Sequence, residues 1–235
     1  TEWFSANKLS VNIKKSKYIV FRPRQIRQSI NIKINLCNQE LVRVEETIFL
    51  GVIIDQHLSW TSHISNLARK LSKAIGIMYK VSFCLSKPSL TTIYYSLVYP
   101  YLQYCVSVWG STYPTNLDRL FKLQKRAVRI IAGASFDAHT DPIFKNLKIF
   151  TLRNIYLIQL GKIMFQFCNR MFPQSLRGMF VLNNQVHNYN TRSSGLFHLP
   201  KTRTNLRKFS VKYQGPKFFN SLSREIQTSP NLQSF

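Results

Sequence analysis

The hydrophobic period of the chain changes at Thr61, and this change constrains the fold more than any other feature. Ahead of it apolar residues alternate. Ile30, Ile32, Ile34 and Leu36 alternate in "INIKINL" and Val42 and Val44 in "LVRV", with "CNQE" as a hairpin turn between them. "KYIVF" (Lys17 to Phe21) reads as a strand entered from a helix end. "TIFLGVII" reads as a strand apolar on both faces and therefore buried. Beyond Thr61 the period is helical. Ile64, Leu67, Ala68, Leu71, Ile75 and Met78 share one face, and Arg69, Lys70 and Lys73 lie off it. One switch from period 2 to period 3.6 predicts an α+β chain with its strands and helices segregated.

The helical part contains a stretch, Pro88 to Leu117, without a single charge. Its length alone would suit a membrane span. Pro100, Gln103 and the tyrosines Tyr94, Tyr95, Tyr99, Tyr101 and Tyr104 argue instead for a buried helix kinked at Pro100, with most of these tyrosines in the core. Pro88 and Gly110 punctuate its ends. A third helix, "TNLDRLFKLQKRAVRIIAG", has Thr115 and Asn116 as cap residues and Gly133 as its stop. A fourth is expected from about Asp141 to Phe172. After Pro173 the pattern fades into an irregular or weakly β basic tail.

Charge narrows the function. The chain carries 33 Lys+Arg against 9 Asp+Glu, a net charge of +24, which calls for a polyanionic partner: nucleic acid first, an anionic membrane second. No acid occurs between Asp55 and Asp118, and none between Asp141 and Glu225, a gap holding 14 Lys and Arg residues. Two-metal phosphoryl chemistry needs clustered carboxylates, which this composition withholds. Asp55 ends an apolar strand, where a catalytic carboxylate would suit, but the spacing of Glu45 and Glu46 marks no constellation with it. It reads as a turn former or cap before Thr61. The four cysteines are widely spaced and the five histidines do not cluster, so neither a disulfide scaffold nor a metal site is expected. No signal peptide is visible, and an intracellular setting is expected.

The third helix also carries a basic stripe. Arg119, Lys122, Arg126 and Arg129 follow i, i+3, i+7, i+10, Lys125 flanks them, and Leu117, Leu120, Ala127, Val128 and Ile131 occupy the other side. A solvated face is the usual explanation of such a stripe. Here only Asp118 balances five cations, which favours phosphate contact.

Several segments carry a resemblance, in one order along nearly the whole chain. "WFSANKLSVNIKKSKYIVF" resembles the segment after the catalytic Asp-Asp turn in reverse transcriptases of non-LTR retrotransposons, the jockey-like elements among them. "FLGVIIDQHLSWTSHI" resembles their next motif. "SLVYPYLQYCVSVWG" and "LDRLFKLQKRAVRIIAG" look like the downstream helical region, and "HNYNTR" and "GPKFFNSL" resemble the C-terminal stretch. The resemblance implies a right-handed polymerase in which residues 1–60 end the palm, 61–135 form a helical thumb, 136–172 a helical extension and 173–235 a basic, loop-rich region. Asn12, Lys15 and Ser16 match the N-x-x-K-[ST] motif, which implies Lys15 as the acid that protonates the pyrophosphate leaving group. "FLGVIID" resembles the primer-grip hairpin, placing Leu50 and Gly51 against a nucleic-acid backbone. Arg69 and Lys73, with Arg119, Lys122, Lys125, Arg126 and Arg129, would hold the duplex. The implied parent activity is RNA-directed DNA synthesis with Mg²⁺ and deoxynucleotides on an RNA template and DNA primer. The paired aspartates are then expected upstream of Thr1, so the chain is read as a fragment that binds no metal itself. A stand-alone basic nucleic-acid-binding module derived from such an element is the alternative; a basic membrane-surface protein is the next.

Overall fold

A computed structural model describes residues 2–25, 32–37, 39–187 and 191–232. The chain forms two compact units, residues 1–63 and 64–235. The first is mostly β. A short helix α1 (Glu2–Ala6) and a 3-10 turn at Ile13–Lys15 precede strands β1 (Lys17–Tyr18), β2 (Asn35–Leu36), β3 (Gln39–Glu40), β4 (Val42–Arg43), β5 (Glu46–Phe49) and β6 (Val52–Asp55). β2 pairs with β3 and β5 with β6, both antiparallel; β1 pairs with β4 in parallel. The hairpin expected between "INIKINL" and "LVRV" is met only in part: β2 pairs with β3, which lies inside "CNQE", while Val42 and Arg43 of "LVRV" pair in parallel with β1, and Ile30 and Asn31 of "INIKINL" lie outside the described residues.

"TIFLGVII" departs from the single buried strand expected of it. It is a two-residue hairpin, with Phe49 opposite Val52 and Leu50 and Gly51 at the turn, both at positive φ (47° and 80°). Positive φ at both central positions gives the turn that matches the twist of the flanking strands. Gly51 adopts it freely, and Leu50 does so against the Cβ clash that normally excludes it. Ile48, Phe49 and Leu50 at the tip are exposed; only Val52 of the hairpin is buried.

The second unit is helical: α2 (Thr61–Val81, its first turn in the first unit), α3 (Lys87–Leu97), α4 (Tyr99–Gln103), α5 (Val106–Trp109), α6 (Pro114–Ala132), α7 (Thr140–Asn146), α8 (Leu152–Cys168), α9 (Asn183–Val186), α10 (Asn205–Lys208), α11 (Val211–Phe219) and α12 (Arg224–Gln227). All six residues of the apolar face read for α2 are buried. The uncharged stretch is three short helices in place of one kinked helix. Val98 interrupts it before Pro100, and Cys105, at φ 51°, ends the helical path outright. Its core stripe is Leu90, Tyr94, Val98, Leu102 and Val106, each a turn apart. Of the five tyrosines only Tyr94 is buried; Tyr95, Tyr101 and Tyr104 are exposed, which corrects their expected place in the core. No helix among the described residues is long and apolar enough to cross a membrane.

α6 starts at Pro114 with Tyr113 in the cap position, ahead of the caps expected at Thr115 and Asn116, which lie inside the helix. It stops at Gly133 (φ 65°), where the Gly133 and Ala134 N–H groups donate to the Ile130 and Arg129 carbonyls. The fourth expected helix is likewise two. Lys148 at φ 52° separates α7 from α8. α8 is the central helix, packed against α4, α5, α6 and α11. Gly110 lets α5 approach it closely, since a Cβ there would lie 2.6 Å from the Tyr156 ring.

The region after Pro173 is loop-rich, but it also closes over α8. Phe180, Phe197 and Phe219 gather around Met164, with Phe167 and Phe172 at the edge of the cluster. "GPKFFNSL" is legible in this light. A Cβ on Gly215 would meet the Met164 sulfur at 2.8 Å, Phe219 fills the cluster, and Asn220 clamps the Phe197 backbone. Its Oδ1 accepts from the Phe197 N–H at 3.0 Å and its Nδ2 donates to the Phe197 carbonyl at 2.8 Å. Residues 188–190 of "HNYNTR" lie outside the described residues.

Candidate nucleic-acid interface

α2 and α6 leave a groove of about 860 Å³ between them. From α2 it takes Ser65, Ala68, Arg69 and Ser72; from α6 it takes Arg119, Lys122, Leu123, Lys125, Arg126 and Arg129, with Phe136 beyond the end of α6. Six of these eleven lining residues are cationic and none is acidic. The geometry follows from the sequence period. The i, i+3, i+7, i+10 spacing keeps Arg119, Lys122, Arg126 and Arg129 on one side of a straight helix. The opposite side is held in the core by Leu120, Gln124, Ala127, Val128 and Ile131, so the cations cannot rotate away. Leu117, read as part of that side, is only half-buried.

Several cations are oriented by neighbours. The Arg119 guanidinium donates to Ser65 Oγ at 3.1 Å, joining the two walls. Arg129 donates through Nε to the Ala138 carbonyl at 2.9 Å, and its guanidinium carbon stands 5.9 Å from the centre of the Phe136 ring. Lys125 lies over the Phe121 ring at 4.6 Å. Asp137, just past α6, has its carboxyl held below the usual range, chiefly by a Ser135 side-chain hydrogen bond, with a smaller contribution from Arg129.

The residues named from the sequence therefore divide. Arg69, Arg119, Lys122, Lys125, Arg126 and Arg129 share the groove. Lys73 is exposed on α2 but does not line it. Lys15, Leu50 and Gly51 belong to the first unit. Lys15 is exposed on the 3-10 turn, which Asn12 caps by accepting the Lys15 N–H at 3.2 Å and Ser16 closes by donating to the Asn12 carbonyl at 3.0 Å. Asn12 and Ser16 thus have a structural reason of their own: they form the turn that presents Lys15.

Asp55 is a turn residue. Its Oδ1 accepts the N–H groups of His57 (3.0 Å) and Ser59 (3.1 Å). Its Oδ2 accepts those of Ser59 (2.9 Å) and Trp60 (3.0 Å) and the Ser59 hydroxyl (3.2 Å). Glu46 is its register partner across the hairpin, yet both Asp55 oxygens are already engaged by the turn. No three His, Cys, Asp or Glu side chains among the described residues come together in a way that could hold a metal ion. His63, buried, accepts the Ile53 N–H through Nδ1 at 3.3 Å, a structural role.

One feature beside the groove was missed by sequence reasoning. Phe136 is 83% exposed at the end of the basic groove, and Phe83 is 77% exposed on the α2 side of the cavity that continues it. A lone phenylalanine in a loop gives no periodic signal, so only the fold shows that the two share a cavity.

Fold and groove together define a basic α+β chain with a cationic cleft between two helices. Its similarities to known proteins fall in one class. It is 30% identical over 151 residues to the RNA-directed DNA polymerase from mobile element jockey of Drosophila funebris, covering 63% of this chain and 16% of that one. To the jockey polymerase of Drosophila melanogaster it is 28% identical over 116 residues, 48% of this chain and 13% of that one. To the probable RNA-directed DNA polymerase from transposon X-element of Drosophila melanogaster it is 25% identical over 107 residues, 44% and 12% of the two chains. The matches thus span no more than about a sixth of these relatives' length. No family model matches the chain, and no solved structure does.

Proposed function

We propose that this chain is the template–primer-holding part of a mobile-element reverse transcriptase, and that the α2–α6 groove grips the phosphate backbone of an RNA–DNA duplex. The observation that carries the reading is the groove itself: six cations and no acid in one cleft of a chain with net charge +24. From Arg119 to Arg129 the helix rises about 15 Å. That length faces roughly four phosphates of one strand at about 3.4 Å each. Rigid backbone contacts of this kind position a duplex without reading its sequence, which is what a polymerase needs. The similarity to RNA-directed DNA polymerases supports the same assignment.

In this reading the exposed Leu50–Gly51 turn and Lys15 also meet the substrate, and the Mg²⁺-binding carboxylates come from another part of the longer polymerase. The chain is then expected to bind duplex but not to extend a primer by itself. A salt titration tests the groove. Log affinity for an RNA–DNA duplex should fall linearly with log salt. Changing Arg119, Lys122, Arg126 and Arg129 to Ala should flatten the slope by roughly one for each phosphate that is no longer neutralised. An unchanged slope removes α6 from the binding surface. Primer extension by the 235 residues alone overturns the division of labour.

A further inference from the structure

The basic groove opens into a second cavity. Arg126, Arg129 and Phe136 line both, and the second, of about 470 Å³, adds Tyr79 and Phe83. Tyr79 and Phe83 meet edge to face with their ring centres 5.6 Å apart, and the Arg129 guanidinium stands over Phe136. Two phenylalanines this exposed around one cavity are unlike the scattered surface apolar residues that need no explanation. They are placed where the phosphate-binding stripe of α6 ends.

We propose that this cavity takes the unpaired bases of a single-stranded extension whose backbone continues along the basic groove. The inference rests on the groove reading above and names its substrate more closely: a duplex–single-strand junction. Paired bases already use both faces in their own stack. An unpaired base has free π-faces, and aromatic side chains beside a cationic track are the usual platform for it. Arg126 and Arg129 supply the cationic track at the cavity, and Phe83 and Phe136 supply the rings. The volume lies in the roughly 300–1,000 Å³ range of cavities that enclose small organic groups, ample for a base and its sugar.

The test uses the full chain and three fluorescent RNA–DNA hybrids: blunt, with a short single-stranded extension, and with the same extension made abasic. The extension should raise affinity about tenfold, the effect of one stacked base. The abasic extension should not. Phe83→Ala, at a ring that lines the second cavity and not the groove, should lose the gain while keeping the blunt-duplex affinity, and Phe83→Trp should keep the gain. The ring is exposed, so an unchanged helical circular-dichroism melt shows that folding is intact. An abasic extension that binds as well as the natural one overturns the proposal, and so does a Phe83→Ala protein that keeps the gain. Failure of the groove reading looks different: blunt-duplex binding then loses its salt dependence on α6 whatever stands at positions 83 and 136. Phosphatidylserine vesicles bound through Phe83 and Phe136, with no base dependence in the hybrids, would assign the rings to a membrane surface and also overturn it.

Discussion

Replacing Gln124 with leucine removes a side chain that ties three helices of the second unit through buried polar contacts. Gln124 is fully buried. Its Nε2 donates to the Tyr94 hydroxyl and to the Phe150 carbonyl, each at 2.9 Å, and its Oε1 accepts the Leu152 N–H at 2.8 Å. Leu152 is the first residue of α8, where a helical N–H has no partner inside its own helix. Leucine fills much the same space but leaves the Tyr94 hydroxyl and the Leu152 N–H without a partner. Each buried group so orphaned costs about 1–3 kcal/mol. The Phe150 carbonyl belongs to a half-exposed residue and can recover a water. The expected loss is therefore about 2–6 kcal/mol, a large share of the roughly 5–15 kcal/mol that keeps a domain folded. Urea unfolding followed by far-ultraviolet circular dichroism measures it. Tyr94→Phe alone should cost about 1 kcal/mol, because Nε2 retains the Phe150 carbonyl. The double variant should cost less than the sum, since leucine then faces a ring with no hydroxyl to strand. A Gln124→Leu protein within about 0.5 kcal/mol of its parent, or strict additivity with Tyr94→Phe, refutes the reasoning.

Two further expectations come from the same physics. Asp55→Ala should release the turn at His57–Trp60, where Leu58 and Trp60 are held at φ 48° and 64°. Losing several charge-assisted bonds to one carboxylate should cost about 2–4 kcal/mol in the first unit. It should also speed hydrogen exchange at the His57, Ser59 and Trp60 amides, whereas unchanged exchange would show that the turn holds without it. Stability should fall at high pH. Burial pushes the Tyr156 phenol from 10.0 up to about 12, so above pH 10 the unfolded chain releases a proton that the folded chain keeps. The loss accumulates between about pH 10 and pH 12 and amounts to roughly 2–3 kcal/mol. Burial raises Tyr94 in the same direction. Tyr156→Phe should flatten the decline, and an equal slope in that variant would assign the alkaline loss elsewhere.

How much of this was legible in the sequence depends on whether the cause was local. The buried face of α2 and the end of α6 at Gly133 were, because period 3.6 and a left-handed glycine act through neighbouring residues. The helix breaks were not. Cys105 and Lys148 adopt positive φ without being glycine, so their composition gives no warning. The Leu50–Gly51 turn gave no sign in the apolar pattern, since Leu-Gly is a weak signal where Asn-Gly is a strong one; the hairpin there was expected only through the primer-grip resemblance. The tyrosines were assigned to the core by type. The four-residue spacing of Leu90, Tyr94, Val98, Leu102 and Val106 selects only Tyr94. The aromatic cluster on α8 joins Phe180, Phe197 and Phe219 from well-separated positions, which no local pattern reports.

The basic stripe was legible as a stripe, but its opposing wall was not. Arg69 reaches the groove only because α2 buries its own apolar face so as to present Arg69 and Ser65 toward α6. α6 serves as both core helix and groove wall, and the two roles constrain each other. Its cations repel, with no acid among the groove-lining residues to relieve them. What holds them in register is the opposite face, where Leu120, Gln124, Ala127, Val128 and Ile131 are buried. Gln124 is the polar pin in that face, fixing the rotation of α6 against α3 and α8 through hydrogen bonds that have direction, which apolar packing lacks. Under the proposed duplex-holding function, cations that meet fixed phosphates gain from such a pin. The orientation of the groove is then set by the core before any polyanion arrives, and less ordering remains to be done on binding.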